Sequence, residues 1–269
     1  LYMSRPSPLP WHDDQSSPLA DLLVAMIHAF RMPLFFILAG FFVAALVQRH
    51  GLAGMVRNRL RRLGLPFALF WPPLFMACAL LGLMFLHRMA DGTWGVDRSL
   101  LPQGPNVPRG PPTMHLWFLW MLLWLALLTP VAWTAVRALP HKMQQALQRS
   151  ALWLGGTPTG LLALTLPLAW IGAGYDHGIV TPSGSFLPPL AEWIHNGLFY
   201  GFGLCLYVHR KVLMAHYERH WPALAGLGLV GFLVTALLSE VLAQPEASAF
   251  ALVLVTGAFT DLLAAPVSA

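Results

Sequence analysis

The chain has 269 residues, of which 57% are hydrophobic and only 10% charged, with a mean hydropathy of +0.62; an ordinary soluble domain carries about 25% charged residues. That balance excludes a soluble fold around one core and requires lipid to receive the apolar faces. The net charge of +5 and pI near 9.7 do not argue for nucleic acid as a partner, because the basic residues fall in short clusters between apolar runs instead of along one surface.

Residues 1–21 form a Pro-rich stretch without the basic start and apolar core of a signal peptide. Seven runs then approach the roughly 20 apolar residues that a membrane helix needs: 22–47, 63–87, 115–136, 152–172, 190–208, 222–243 and a weaker one, 247–265. They lack period-two alternation and are too long for membrane strands. The expected fold is all-α: a polytopic transmembrane helix bundle of about seven spans, forming a single domain over 22–265 with a short tail at 266–269. Cys78 and Cys205 lie inside apolar runs, where a thiol acts as a small hydrophobe, so neither a disulfide nor a metal site is expected.

Lys and Arg concentrate in cytoplasmic loops of membrane proteins. Here 11 of the 16 basic residues lie in three alternate connections, 48–62, 137–149 and 209–221, which are read as cytoplasmic loops. The connections at 88–114, 173–189 and 244–246 are then external, as is the amino-terminal stretch. An external start without an export signal predicts a further helix before Leu1.

Three polar elements interrupt the apolar runs. In the first, His28 and Arg31 lie three residues apart and share a helix face, with Asp21 seven residues earlier on much the same side. An arginine near mid-membrane costs about 2.5–3.5 kcal/mol on insertion scales, so Arg31 must face the bundle interior, either to serve an anionic ligand or to tie helices together through carbonyls or Asp21. The second is the cluster Arg57, Arg59, Arg61 and Arg62. Planar guanidinium groups suit phosphates, although any cytoplasmic loop can be this basic. The third is His115, followed by Trp117 and Trp120. It reads either as a general base for a sugar hydroxyl, together with His28, or as an interfacial histidine beside a tryptophan belt. Glu240 lies deep in the sixth run, whereas His87, His177, His195 and His209 fall at span boundaries. No phosphate-binding glycine loop, zinc-ligand spacing or nucleophile elbow is found.

The segments His28-x-Phe-Arg-Met-Pro-Leu-Phe-Phe with Gly40 following, Arg59-x-x-Arg62 leading into Leu-Gly-Leu-Pro66, and His115-Leu-Trp-Phe-Leu resemble the membrane acyltransferase 3 family. Within it the chain looks most like the glucan biosynthesis protein C type, which places succinyl groups on periplasmic glucans. The resemblance covers about the first half of the chain. It implies a multi-pass enzyme of the bacterial inner membrane that takes an acyl group, succinyl or acetyl, from cytoplasmic acyl-CoA and delivers it to an extracytoplasmic glycan hydroxyl, with no permanently bound cofactor. Arg59 and Arg62 would contact the CoA phosphates, Arg31 would steady the donor, and His28 and His115 would lie near the acceptor. The family's first helix, with its Arg and catalytic His, is expected before Leu1, and its closing helices beyond the end. Competing readings are a transporter or flippase of a lipid-linked glycan using Arg31, Asp21 and Glu240, and a non-catalytic membrane protein.

Overall fold

A computed structural model describes residues 17–97, 99, 111–175 and 180–241. The amino-terminal stretch to 16, His177, the expected seventh span at 247–265 and the tail at 266–269 lie outside the described residues, as do the side chains of Asp21, His28 and Glu240. Seven α-helices are described: α1 (Pro18–Arg59), α2 (Leu65–Asp91), α3 (Trp117–Ala138), α4 (His141–Gly156), α5 (Pro158–Gly172), α6 (Leu190–Val208) and α7 (Arg210–Val241). A π-helical turn, Leu60–Gly64, joins α1 to α2, and a 3₁₀ turn, Met114–Leu116, precedes α3. No strand occurs among the described residues. The protein is an all-α membrane protein.

By length and apolarity, Phe30–Asp91 and Met114–Ala138 qualify to cross a membrane, and α4 with α5 makes a third candidate if that bent pair counts as one span. At 62 residues, the first holds far more than the roughly 20 residues that one crossing needs. Large apolar side chains along α2 stay exposed, among them Leu69, Phe70, Met76 and Leu81. Its one buried residue is Phe67. Such a surface suits lipid, not water.

Three expectations about connections are corrected. The segment at 48–62 is no loop: the chain stays helical through it, leaving helical geometry at Gly51 (φ 68°, ψ 177°). Leu52, Met55, Val56 and Leu60 recur at spacings of three and four, which is the pattern of an amphipathic helix. Likewise, 137–149 is mostly the end of α3 and the first half of α4, and 209–221 is the start of α7. The run at 152–172 is no straight span, because α4 and α5 meet at 96°. Thr157, extended at φ −132° and ψ 147° as a residue before proline favours, breaks the helix. Its hydroxyl then caps α5 by accepting from the Gly160 N–H at 3.0 Å.

The described helices pack as two compact units. In the first, α1 up to Arg49 packs with α4 to α7. Gly40 and Gly203 let the backbones meet: a methyl group at Gly40 would collide with the Tyr200 carbonyl, and one at Gly203 with the Ile37 carbonyl. Phe41 packs edge-on against Tyr207 with centroids 5.0 Å apart, and the Tyr207 hydroxyl donates to Gln48. Leu213 and Tyr217 of α7, both buried, fit against Gly155, whose carbonyl accepts from the Tyr217 hydroxyl.

The second unit comprises 50–131 and 182–189. Phe67 stacks on Trp120 at 4.8 Å, and Phe186 sets its edge against Trp71 at 5.0 Å and Trp120 at 5.3 Å. The indole N–H groups find carbonyls, Trp71 donating to Pro112 at 3.1 Å and Trp120 to Phe186 at 2.8 Å. Thr113 donates through its backbone N–H and its hydroxyl to the Gly184 carbonyl. Consecutive spans joined by an external loop would bring the end of α2 to the start of α3. Instead Leu123 lies at Gly64, Trp120 at Phe67 and Pro112 at Trp71, so α3 runs antiparallel to the first half of α2. The aromatic cluster fixes that register.

Gly201 and Gly203 give an internal comparison, since a methyl group at Gly201 meets nothing within 4 Å. Gly203→Ala is expected to destabilise the protein by about 1–3 kcal/mol through overpacking, whereas Gly201→Ala should be neutral or stabilising by up to about 1 kcal/mol. Thermal unfolding of the two variants in detergent micelles measures the difference.

Candidate functional site

In the second unit, the helix beyond Gly51 carries a cleft of about 690 Å³ lined by His50, Gly54, Arg57, Asn58, Arg61 and Arg62. Arg57 and Arg61 are four apart and therefore share a helix face. The π turn holds one residue more than an α-helical turn, and both Arg61 and Arg62 border the cleft. Three exposed guanidinium groups and an imidazole face the space, with no carboxylate in the lining among the described residues. Like charges gathered this way repel one another, and an anion relieves that repulsion while accepting planar pairs of N–H donors. Chemically, the arrangement can accept a polyanion.

Of the two arginines singled out from the sequence here, Arg62 lines this cleft and Arg59 does not. Arg59 is half-buried and held in contacts within the protein. His50, Arg57, Asn58 and Arg61 complete the lining, and the signal for them was available in the four-residue spacing of Arg57 and Arg61. His115 is exposed in the 3₁₀ turn ahead of α3, directly after Met114, which adopts a positive φ of 53°. That turn comes after Pro112, which is bonded to Trp71. Trp71 is nine residues beyond Arg62, about 14 Å along the helix axis.

His28 and Arg31 belong to the other unit. Arg31 is half-buried in α1, and its Nε is buried without a hydrogen-bond partner among the described residues. A buried donor left over in this way is available to an acceptor. The same unit holds polar residues that hydropathy reading passed over: Glu192, 3% exposed, and Asn196, 7% exposed, one turn apart on α6. His195 stands next to Asn196, with its Nδ1 3.3 Å from the amide oxygen. Burial, and secondarily the Glu192 carboxylate, push the Tyr175 phenol above its ordinary pKa. The four-residue spacing of Glu192 and Asn196 was the signal that could have found this stripe. Among the described residues, no group of three His, Cys, Asp or Glu side chains is placed to hold a metal ion.

Compared with known families, residues 5–266 match the family model described as an acyltransferase domain, that of the membrane acyltransferase 3 family. No curated protein and no solved structure matches the chain.

Because Glu192 is buried with interactions inside the protein, its loss leaves polar partners exposed to an apolar interior. Glu192→Leu is expected to cost about 1–3 kcal/mol, and Glu192→Gln clearly less. Equal thermal unfolding midpoints for the two variants would contradict this.

Proposed function

Since the chain belongs to the membrane acyltransferase 3 family over almost its whole length, we propose that it moves an acyl group, succinyl or acetyl, from cytoplasmic acyl-CoA to a hydroxyl of an extracytoplasmic glycan. A periplasmic glucan in the manner of the glucan biosynthesis protein C type is the acceptor that the sequence motifs favour, and the bacterial inner membrane is the corresponding location. The observation that carries the donor reading is the cleft of Arg57, Asn58, Arg61, Arg62 and His50, free of carboxylates among the described residues and suited to the phosphates of CoA. Arg59 lies between Arg57 and Arg61 in the same segment without lining the cleft.

From that anchorage the pantetheine arm would extend along α2. The axial distance of about 14 Å from Arg62 to the level of Trp71 is within its extended reach, and it brings the thioester toward the turn that bears His115. An imidazole there takes the proton of the sugar hydroxyl as its oxygen attacks the thioester carbonyl; His28 is the alternative base that the sequence motif offers. The C–S bond breaks, the CoA thiolate leaves and recovers a proton, and the acyl ester remains on the sugar. Arg31 keeps the role that the resemblance gives it, steadying the acyl donor.

Arg57→Ala and Arg62→Ala are each expected to weaken CoA binding about tenfold or more, the worth of one charge-assisted hydrogen bond, with folding unchanged; titration calorimetry in detergent reads this. Unchanged affinity in both would remove the donor site. His115→Ala and His28→Ala should lower kcat about 10²- to 10⁴-fold while leaving CoA affinity intact, with at least one of the two required to do so. Mass spectrometry of surface glycans from a deletion strain should show normal glycan lacking its acyl substituents; glycan missing from the exterior would point to transport instead.

A further inference from the structure

On the face of the helix next to the basic cleft lies a second cavity of about 460 Å³. Leu52, Val56 and Leu60, spaced by four, form a continuous apolar ridge along it, and Pro130 of α3 also lines it. Arg57 and Arg61 border this cavity as well as the cleft, and among the described residues no carboxylate lines either one. The opening is on the surface of a helix whose large apolar residues, Leu60 and Leu65 among them, are exposed. An apolar trough in contact with a bilayer is filled by hydrocarbon, because water gains nothing from leucine and valine walls. Two guanidinium groups at its rim then select the headgroup of whatever molecule supplies that hydrocarbon.

We propose that this trough is a binding site for an anionic phospholipid, with one acyl chain along Leu52, Val56, Leu60 and Pro130 and the phosphate held by Arg57 and Arg61. Charge complementarity decides the class: a zwitterionic headgroup would bring its own ammonium toward the two guanidinium groups, whereas an anionic one adds only acceptors. Paired basic residues at a membrane surface favour anionic lipid by about tenfold or more. The proposal shares Arg57 and Arg61 with the donor reading, but its measurement is lipid retention and not acyl transfer, so either can fail without the other.

Native mass spectrometry of the purified full chain, titrated in detergent with phosphatidylglycerol or phosphatidylcholine of identical chains, tests it. The expected result is preferential retention of phosphatidylglycerol by about tenfold. Arg57→Gln combined with Arg61→Gln should bring the ratio to about one. Val56→Trp, which fills the trough and keeps both arginines, should abolish retention of phosphatidylglycerol, whereas Leu81→Trp, at an exposed position on α2 outside the trough, should not. If Val56→Trp fails to fold, Ala53→Leu provides the same obstruction with less bulk. Equal retention of the two lipids by the unaltered chain, selectivity that survives the double arginine substitution, or displacement of the lipid by glycerol phosphate as effectively as by intact phosphatidylglycerol would each overturn the proposal.

Discussion

Within a bilayer, helices gain little by hiding apolar side chains from one another, because lipid is as apolar as leucine; association depends on how closely backbones approach. In this protein that approach is made where Gly40 of α1 faces the Tyr200 carbonyl and Gly203 of α6 faces the Ile37 carbonyl. The contact leaves no room for a side chain at either position. Through it, the helix that bears Arg31 is held rigidly against the helix that bears Glu192 and Asn196. Polar groups that are expensive to place in lipid thereby belong to a packed body, in which the buried Glu192 finds its interactions.

The second unit solves a different problem, that of fixing register between two long apolar helices. Aliphatic side chains alone would let α2 slide past α3. The aromatic cluster of Phe67, Trp71, Trp120 and Phe186 adds direction: ring edges meet ring faces, and both indole N–H groups have one carbonyl to reach. The same register sets the axial offset between Arg62 and the turn carrying His115. A structural device thus determines the span available to a ligand that touches both ends.

Much of this was legible in the sequence. The all-α membrane class followed from hydropathy, and α6 occupies the very range, 190–208, read for it. Gly40 stood out in its motif, although its reason, a backbone contact with a helix 160 residues further on, was invisible. Charge bias located the segments at 48–62, 137–149 and 209–221, but clustered arginines indicate where a segment lies relative to the membrane and say nothing about its conformation. All three proved largely helical, because Leu52, Val56 and Leu60, and their counterparts in α4 and α7, keep helical spacing beneath the charges. The bend at Thr157 was hidden for the opposite reason: the apolar run continues through it, and a window average weighs composition while ignoring one Thr-Pro step. Of the arginines that line the basic cleft, the motif singled out Arg62 and not Arg57 or Arg61, since a motif read along the chain does not reveal which residues turn to one side.

The π turn at Leu60–Gly64 makes the arrangement depend on residue count as much as on residue identity. A widened turn accommodates one residue beyond α-helical need, and each residue rotates the remainder of the helix by about 100°. Deleting a single position there would leave an unbroken helix of nearly unaltered composition. Phe67 and Trp71 would nevertheless be rotated relative to Arg57 and Asn58, so that the ring contacts with α3 and the basic cleft could not both be kept. Alignment of this segment with any other chain therefore has to conserve its length before its letters, because a gap of one could preserve every guanidinium and still dismantle the surface they share.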